Sequence, residues 1–296
     1  MIKRTLYFGN QSHLCTRLEQ LCIKKEDEAD KTVSIEDIGF IILDNDQITI
    51  SKALLAKLIE NNSAVVITNE KHLPSGFILP AFANTLLQER FNIQISASEP
   101  LKKRVWQQTV RAKIRNQAGL IKKISGNPLT LSALIPKVQS GDKSNIEAVA
   151  AKRYWKLLFN SDDFTRSRYG EPPNNFLNYG YAILRAVIAR SLAGTGLMPL
   201  AGISHGNKYN PMPLADDIME PFRPFVDEIV HTIMESGTAR ELTPEIKRKL
   251  LELPDVTVKY NGEQSPLMIS AQHTAYSLYQ CMAKQVKTIN YPEFWS

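Results

Sequence analysis

The sequence predicts an α+β protein of two domains. The first is a small N-terminal β domain with one helix; the second is a larger, all-α C-terminal domain. Three observations predict this. Short apolar runs broken by Gly9, Gly39 and Asp44-Asn45-Asp46 fill the first eighty residues, and helical periodicity replaces them from about residue 82. Charge divides in the same way: residues 1–90 hold 10 basic and 12 acidic side chains, residues 91–296 hold 26 and 18. The formal +6 of the 296-residue chain therefore belongs to the second part alone. The expected boundaries are 1–82 for the β domain, 83–100 for a connecting segment and 101–296 for the helical domain.

The elements follow in order. Residues 5–8, 31–35, 40–43 and 64–68 are β-branched or aromatic runs of strand length, with their order in a sheet left open. Between them, Ser51 is placed to cap a helix in which Leu54, Leu55, Leu58 and Ile59 recur at helical spacing. Pro100 precedes a long amphipathic helix with an apolar stripe of Trp106, Val110, Ile114, Ala118 and Ile121. At about 100° per residue, Arg104, Arg111, Arg115 and Lys122 form a separate line. No acid occurs between Glu99 and Asp142, and a single-sign line suits phosphate tracking, although a charge run can also be a plain solvated face. Further helices are expected near 144–159, 174–193, 214–235, 244–252 and 266–286, with a small hairpin turning at Asn261-Gly262.

Composition excludes several classes. With 43% hydrophobic and 22% charged residues the chain has enough apolar material for a packed core and is not a disordered segment. Cys15, Cys22 and Cys281 make neither a disulfide framework nor a zinc spacing, which points to a reducing compartment. The start lacks the apolar stretch of a signal peptide, and the most apolar long segment, 179–200, is interrupted by Arg185 and Arg190. A cytoplasmic protein without a membrane span is expected. There is no P-loop, dinucleotide fingerprint, Gly-x-Ser-x-Gly elbow or His-Glu-x-x-His. His13, His72, His231 and His273 lack ligand-spaced partners and read as structural, and Trp106, Trp155 and Trp295 read as core or interface residues.

The densest site-like segment runs from Gly202 to Pro224. His205 sits there in a glycine-flanked loop before a helix that Pro213 is suited to begin. On that helix Asp217 and Glu220 are three residues apart and Asp216 and Glu220 four, so either pair shares a face. A histidine beside such carboxylates suits Mg²⁺ or Mn²⁺, with positions left for water or phosphate. Each residue also has an ordinary reading: acids favour a first helical turn, and Glu220 can pair with Arg223. Glu147 is a third carboxylate candidate, but Ser144-x-x-Glu147 is a capping-box pattern that would occupy it with backbone N–H groups.

Asn145-Ile-Glu-Ala-Val-Ala-Ala-Lys-Arg-Tyr-Trp155, Pro172-Pro-Asn-Asn-Phe-Leu-Asn-Tyr-Gly-Tyr181, His205 and Leu214-Ala-Asp-Asp-Ile-Met-Glu-Pro-Phe-Arg-Pro224 together resemble the CRISPR-associated adaptation endonuclease family. So do Ser34-Ile-Glu-Asp-Ile-Gly-Phe-Ile-Ile-Leu43 and Lys113-Ile-Arg-Asn-Gln117. The likeness covers nearly the whole chain, and the compact length with its Gly-Ile-Ser-His lead-in is most similar to the type II variant. This resemblance implies an integrase subunit that inserts short DNA into a CRISPR repeat array. It implies an N-terminal β domain used in homodimerisation and a helical domain holding a metal site of a glutamate, a histidine and a second acid. Carried over, these are Glu147, His205 and Glu220, with Asp217 as the runner-up ligand or an acid orienting its neighbours. It also implies a smaller CRISPR adaptation protein as partner.

The expected chemistry is phosphoryl transfer with Mg²⁺ or Mn²⁺: a DNA 3′-hydroxyl attacks a phosphodiester, or water does so in hydrolysis. One phosphodiester replaces another, so this step needs no ATP, in keeping with the missing P-loop. Arg104, Arg111, Arg115, Lys122, Arg166 and Arg168 are the candidate contacts to double-stranded DNA. A general DNA-repair nuclease and a non-catalytic DNA-binding scaffold are the alternatives.

Overall fold

The structure is a computed structural model that describes every residue except 1–2, 27, 71, 82, 168, 205–207, 238–239 and 296. It divides into two compact units, 1–87 and 88–296.

The first unit contains β1 (Arg4–Phe8), β2 (His13–Arg17), β3 (Gln20–Lys24), β4 (Lys31–Ser34), β5 (Ile38–Leu43), β6 (Thr49–Ile50), α1 (Lys52–Glu60), β7 (Ala64–Thr68) and β8 (Pro74–Ile78). One sheet has the order β1-β5-β7-β8, with β1, β5 and β7 parallel and β8 antiparallel to β7. The other has the order β4-β3-β2-β6. The parallel arrangement explains the unbroken Ile-Gly-Phe-Ile-Ile-Leu of β5, of which all but Leu43 is buried: a central parallel strand needs apolar residues on both faces. In α1, Ser51 Oγ accepts from the Leu54 N–H at 3.2 Å as the capping pattern predicts, and Leu54 and Leu58 enter the core with Phe8, Leu14, Ile41 and Val65. Strands β2, β3, β6 and β8 are additions to the strand-like runs read from sequence. They are short and carry polar residues such as His13, Arg17 and Gln20, so their apolar signal is diluted.

In the second unit, α2 (Leu87–Ile95) occupies the expected connecting stretch, its first residue falling at the end of the first unit. It is followed by α3 (Glu99–Ser125), α4 (Leu129–Ser132), α5 (Ile146–Phe159), α6 (Asn174–Thr195), α7 (Pro213–Met219), α8 (Arg223–Glu235), α9 (Pro244–Leu251) and α10 (Leu267–Met282). The strands β9 (Thr257–Tyr260) and β10 (Glu263–Pro266) form the anticipated hairpin, so this unit is mainly rather than wholly α. Asn261 and Gly262 take φ of 51° and 91°, the left-handed pair that a two-residue hairpin turn demands.

All five residues of the predicted α3 stripe are buried, and they pack with Ala150, Tyr154 and Leu158 of α5. Helix α6 is apolar nearly all round because it is enclosed by α7, α8, α9 and α10. Among the described residues no helix is long and apolar enough to cross a membrane.

Candidate active site

Glu147 and Glu220 lie 73 positions apart in sequence, yet both meet the ammonium of Lys113. Lys113 Nζ is 2.6 Å from Glu147 Oε1 and 2.6 Å from Glu220 Oε2. Lys113 projects from α3, Glu147 from the first turn of α5, and Glu220 from a tight 3₁₀ turn, Glu220–Phe222, between α7 and α8. Burial opposes the Lys113 charge, but Glu220 and Glu147 outweigh it, so its pKa is raised and the ammonium stays charged.

The expected capping box at Ser144 does not form, which leaves Glu147 available. Asp142 supplies the cap instead: its two carboxylate oxygens accept the N–H groups of Ile146 and Glu147, each at 3.0 Å. Asp142 is presented by a turn in which Gly141, Asp142 and Asn145 all have positive φ. With the first-turn N–H groups already satisfied, the Glu147 side chain is directed to Lys113.

Glu220 is held on its other oxygen by Arg223, whose Nη2 is 3.0 Å from Oε1. The sequence offered pairing with Arg223 as the ordinary reading of Glu220, and that pair forms. Asn116, one turn after Lys113 on α3, donates to the carbonyls of Pro221 at 2.7 Å and Pro292 at 2.8 Å. It thereby fixes the turn that carries Glu220. Beneath lies a buried polar cluster: Tyr154 and Tyr181 donate to Asp227 at 2.7 and 2.5 Å, and the Arg223 guanidinium sits 4.6 Å above the Tyr181 ring.

Asp217, on α7, is engaged with backbone N–H groups. Its Oδ2 accepts the N–H groups of Ile203 at 2.5 Å and Ser204 at 3.0 Å. It is fully buried and pins the segment leading to position 205. From the other side, Gln94 of α2 donates to the carbonyls of Met198 and Ala201 and accepts from the Met198 N–H, each at 2.9 Å. Asp216 turns away from this segment, taking Arg185 Nε at 2.6 Å and Asn210 Nδ2 at 2.8 Å. His205 lies outside the described residues, as does Arg168.

The basic candidates separate by use. Arg104, Arg115 and Lys122 are exposed on α3, with Arg115 3.3 Å from Glu293. Arg111 is half-buried and donates to the Val138 carbonyl at 2.8 Å. Arg166 is drawn inward, donating to Asn174 at 3.0 Å and Asn178 at 2.6 Å, with its guanidinium 5.1 Å above the Tyr181 ring. Burial lowers its pKa. At about 100° per residue Lys113 falls on the opposite side of α3 from the Arg104–Lys122 line. Sequence reasoning assigned no role to Lys113, Asn116 or Gln94. For Lys113 and Asn116 the available signal was polar residues on a helix away from its basic line.

Among the described residues no group of three or more His, Cys, Asp or Glu side chains is arranged to hold a metal. The described part of the expected site is a pair of carboxylates sharing one cation. Hard oxygen donors converging on a positive charge are a donor set that suits a divalent ion.

The family model described as "CRISPR associated protein Cas1" matches residues 6–254. The CRISPR-associated endonuclease Cas1 of Neisseria meningitidis serogroup C (strain 8013) is 40% identical over 256 residues, which is 85% of this chain and 83% of that protein. Among solved structures, a casposase bound to integration product superposes with a TM-score of 0.79 at 21% identity, covering 98% of this chain and 92% of the other. A Cas6-RT-Cas1–Cas2 complex matches with a TM-score of 0.72 at 20% identity, covering 96% of this chain and 35% of the other. At these identities the two structures share the fold.

Proposed function

Because the chain belongs to the CRISPR-associated Cas1 family, we propose that it is a DNA endonuclease and integrase of spacer acquisition. Its reaction joins the 3′ ends of short double-stranded DNA into a CRISPR repeat array. The observation that carries this is the convergence of Glu147 and Glu220 on one cation at 2.6 Å from two separate elements of a family member. Identity of 40% to the Neisseria meningitidis protein, from a type II system, supports the type II variant. The fold shared with a casposase bound to integration product favours joining over cleavage alone.

Glu147, His205 and Glu220 would hold Mg²⁺ or Mn²⁺, which when bound supplies Lewis acidity at a non-bridging phosphate oxygen. Around it this chain supplies rigidity. Arg223 and Asn116 keep the Glu220 turn in place, Asp142 presents the first turn of α5, and Asp217 with Gln94 holds the loop that leads to His205. Chemically, the 3′-hydroxyl of the incoming DNA bonds to the target phosphorus and the target's 3′ oxygen leaves with the proton. One phosphodiester is broken and one made. The DNA contacts are Arg104, Arg115 and Lys122, with Arg111 and Arg166 contributing mainly to local structure. The protein works in the cytoplasm as a homodimer through its N-terminal β unit and pairs with the smaller adaptation protein, as the neighbouring Cas1–Cas2 assembly suggests.

Purified protein with Mn²⁺, a supercoiled repeat-bearing plasmid and short duplexes with free 3′ ends tests the reading. Joined product is expected. Cleavage alone would instead make it a repair-type nuclease, and binding without either a scaffold. Glu147→Gln and Glu220→Gln should each cost about 100-fold or more in joining rate, beyond the roughly 10–100-fold carried by groups that only orient ligands. Wild-type rates in either variant would remove these residues from the site.

A further inference from the structure

The strongest unexplained feature is that the seat between the two carboxylates is filled by the protein itself. Lys113 is 12% exposed at its side chain, Glu220 5% and Glu147 24%, so this trio is largely withdrawn from water. Glu220 has one oxygen on Arg223 and the other on Lys113, while Glu147 meets Lys113 through Oε1. Arg223 is itself fixed against the Tyr181 ring, whereas Lys113 ends a flexible four-carbon stem. Of the two cations, Lys113 is the one that can leave.

We propose that Lys113 is an internal counter-cation occupying the seat between Glu147 and Glu220, and that a divalent ion binds there only by displacing it. The proposal rests on the metal reading given above. Two positive charges cannot share this position, because repulsion at such separations is strong in a partly buried site. Without a divalent ion the ammonium compensates one buried and one partly buried carboxylate that would otherwise repel each other. With the ion present, that compensation is transferred and the ammonium swings away on its stem. Lys113 is thus a positioning residue whose departure sets the affinity of the site. A lysine that merely shaped the site would act in the opposite sense, since removing it would let the carboxylates splay and weaken binding.

The test is Mn²⁺ binding alone, by calorimetry on the full chain without DNA. Lys113→Met should bind Mn²⁺ about tenfold more tightly than wild type, a difference of about 1.4 kcal/mol. Lys113→Arg, which keeps the charge, should bind no more tightly than wild type. The Mn²⁺-induced rise in melting temperature should be larger for Lys113→Met than for wild type. If that variant does not fold in chelator, Lys113→Gln, which retains a hydrogen-bonding head, carries the same measurement. A folded neutral variant with equal or weaker Mn²⁺ affinity overturns the proposal. If neither wild type nor the folded neutral variant takes up Mn²⁺, the metal reading is overturned, and the proposal with it.

Discussion

Asp227 shows how one buried carboxyl makes the helical unit sensitive to pH. It is 1% exposed and accepts from two tyrosines, with Arg223 and Arg166 nearby. Burial pushes its pKa up to about 6, against the opposing pull of Tyr181, Tyr154 and the two guanidiniums. A folded-state value raised above the unfolded one means that folding favours the protonated form. The stabilising contribution is therefore complete below about pH 4 and is lost as pH rises through about 6, a change of about 3 kcal/mol. Asp227→Asn retains the shape without the titration. Urea unfolding from pH 4 to 7.5 should show the variant gaining on wild type by about that amount as pH rises. A constant difference across the range would contradict this assignment. Asn116 offers a second residue-level outcome. Asn116→Ala strips the Pro221 and Pro292 carbonyls of a buried donor, so a stability loss of about 1–3 kcal/mol is expected, with joining falling about 10–100-fold.

Among the elements, the crossing of α6 and α8 depends on Gly180. A Cβ there would lie 2.4 Å from Val226 Cγ1 and 3.3 Å from Leu250 Cδ2. Helix propensity alone favours alanine by about 1 kcal/mol, but forcing the helices apart costs about 1–3 kcal/mol. Gly180→Ala should therefore lower the melting temperature, and Val226→Ala in the same chain should recover part of the loss, a coupling readable from a double-mutant cycle. Elements of this kind were legible in the sequence wherever one local rule acted alone. The α3 stripe, the Ser51 cap and the Asn261-Gly262 turn each follow from spacing or backbone chemistry within a few residues. What was hidden depended on partners far along the chain. The unbroken apolar run of β5 marks a strand buried on both faces, but the order β1-β5-β7-β8 follows from packing between strands far apart in the chain. Glu147 had a local rule pointing to the cap, and Asp142 displaced it through a turn with positive φ that sequence does not announce. Lys113, an ordinary helix lysine by spacing, becomes informative only once two carboxylates arrive from positions 147 and 220.

At the scale of the molecule, the charge asymmetry follows the structural division. Unit 1–87 holds 9 basic and 11 acidic side chains, and unit 88–296 holds 27 and 19, so the positive field belongs to the helical unit. Within it, Arg104, Arg115 and Lys122 span about 27 Å of α3 on the side opposite Lys113. That distance suits several successive phosphates, and on the proposed reading its placement would separate the gripping of DNA from the chemistry at the carboxylates. Arg115 gives up little by leaving Glu293, since both side chains are about half exposed and such a surface pair is worth at most about 1 kcal/mol. The consequence is measurable as ion release. Replacing Arg104, Arg115 and Lys122 together by alanine should reduce the slope of log affinity against log salt by about two to three, near 0.9 for each phosphate contact removed. Affinity for Mn²⁺ should stay unchanged, because the three residues lie on the side of α3 opposite Lys113, which meets Glu147 and Glu220. An unaltered salt slope would show that this line is only a solvated face, and a changed Mn²⁺ affinity would show that the two sides of α3 are not independent.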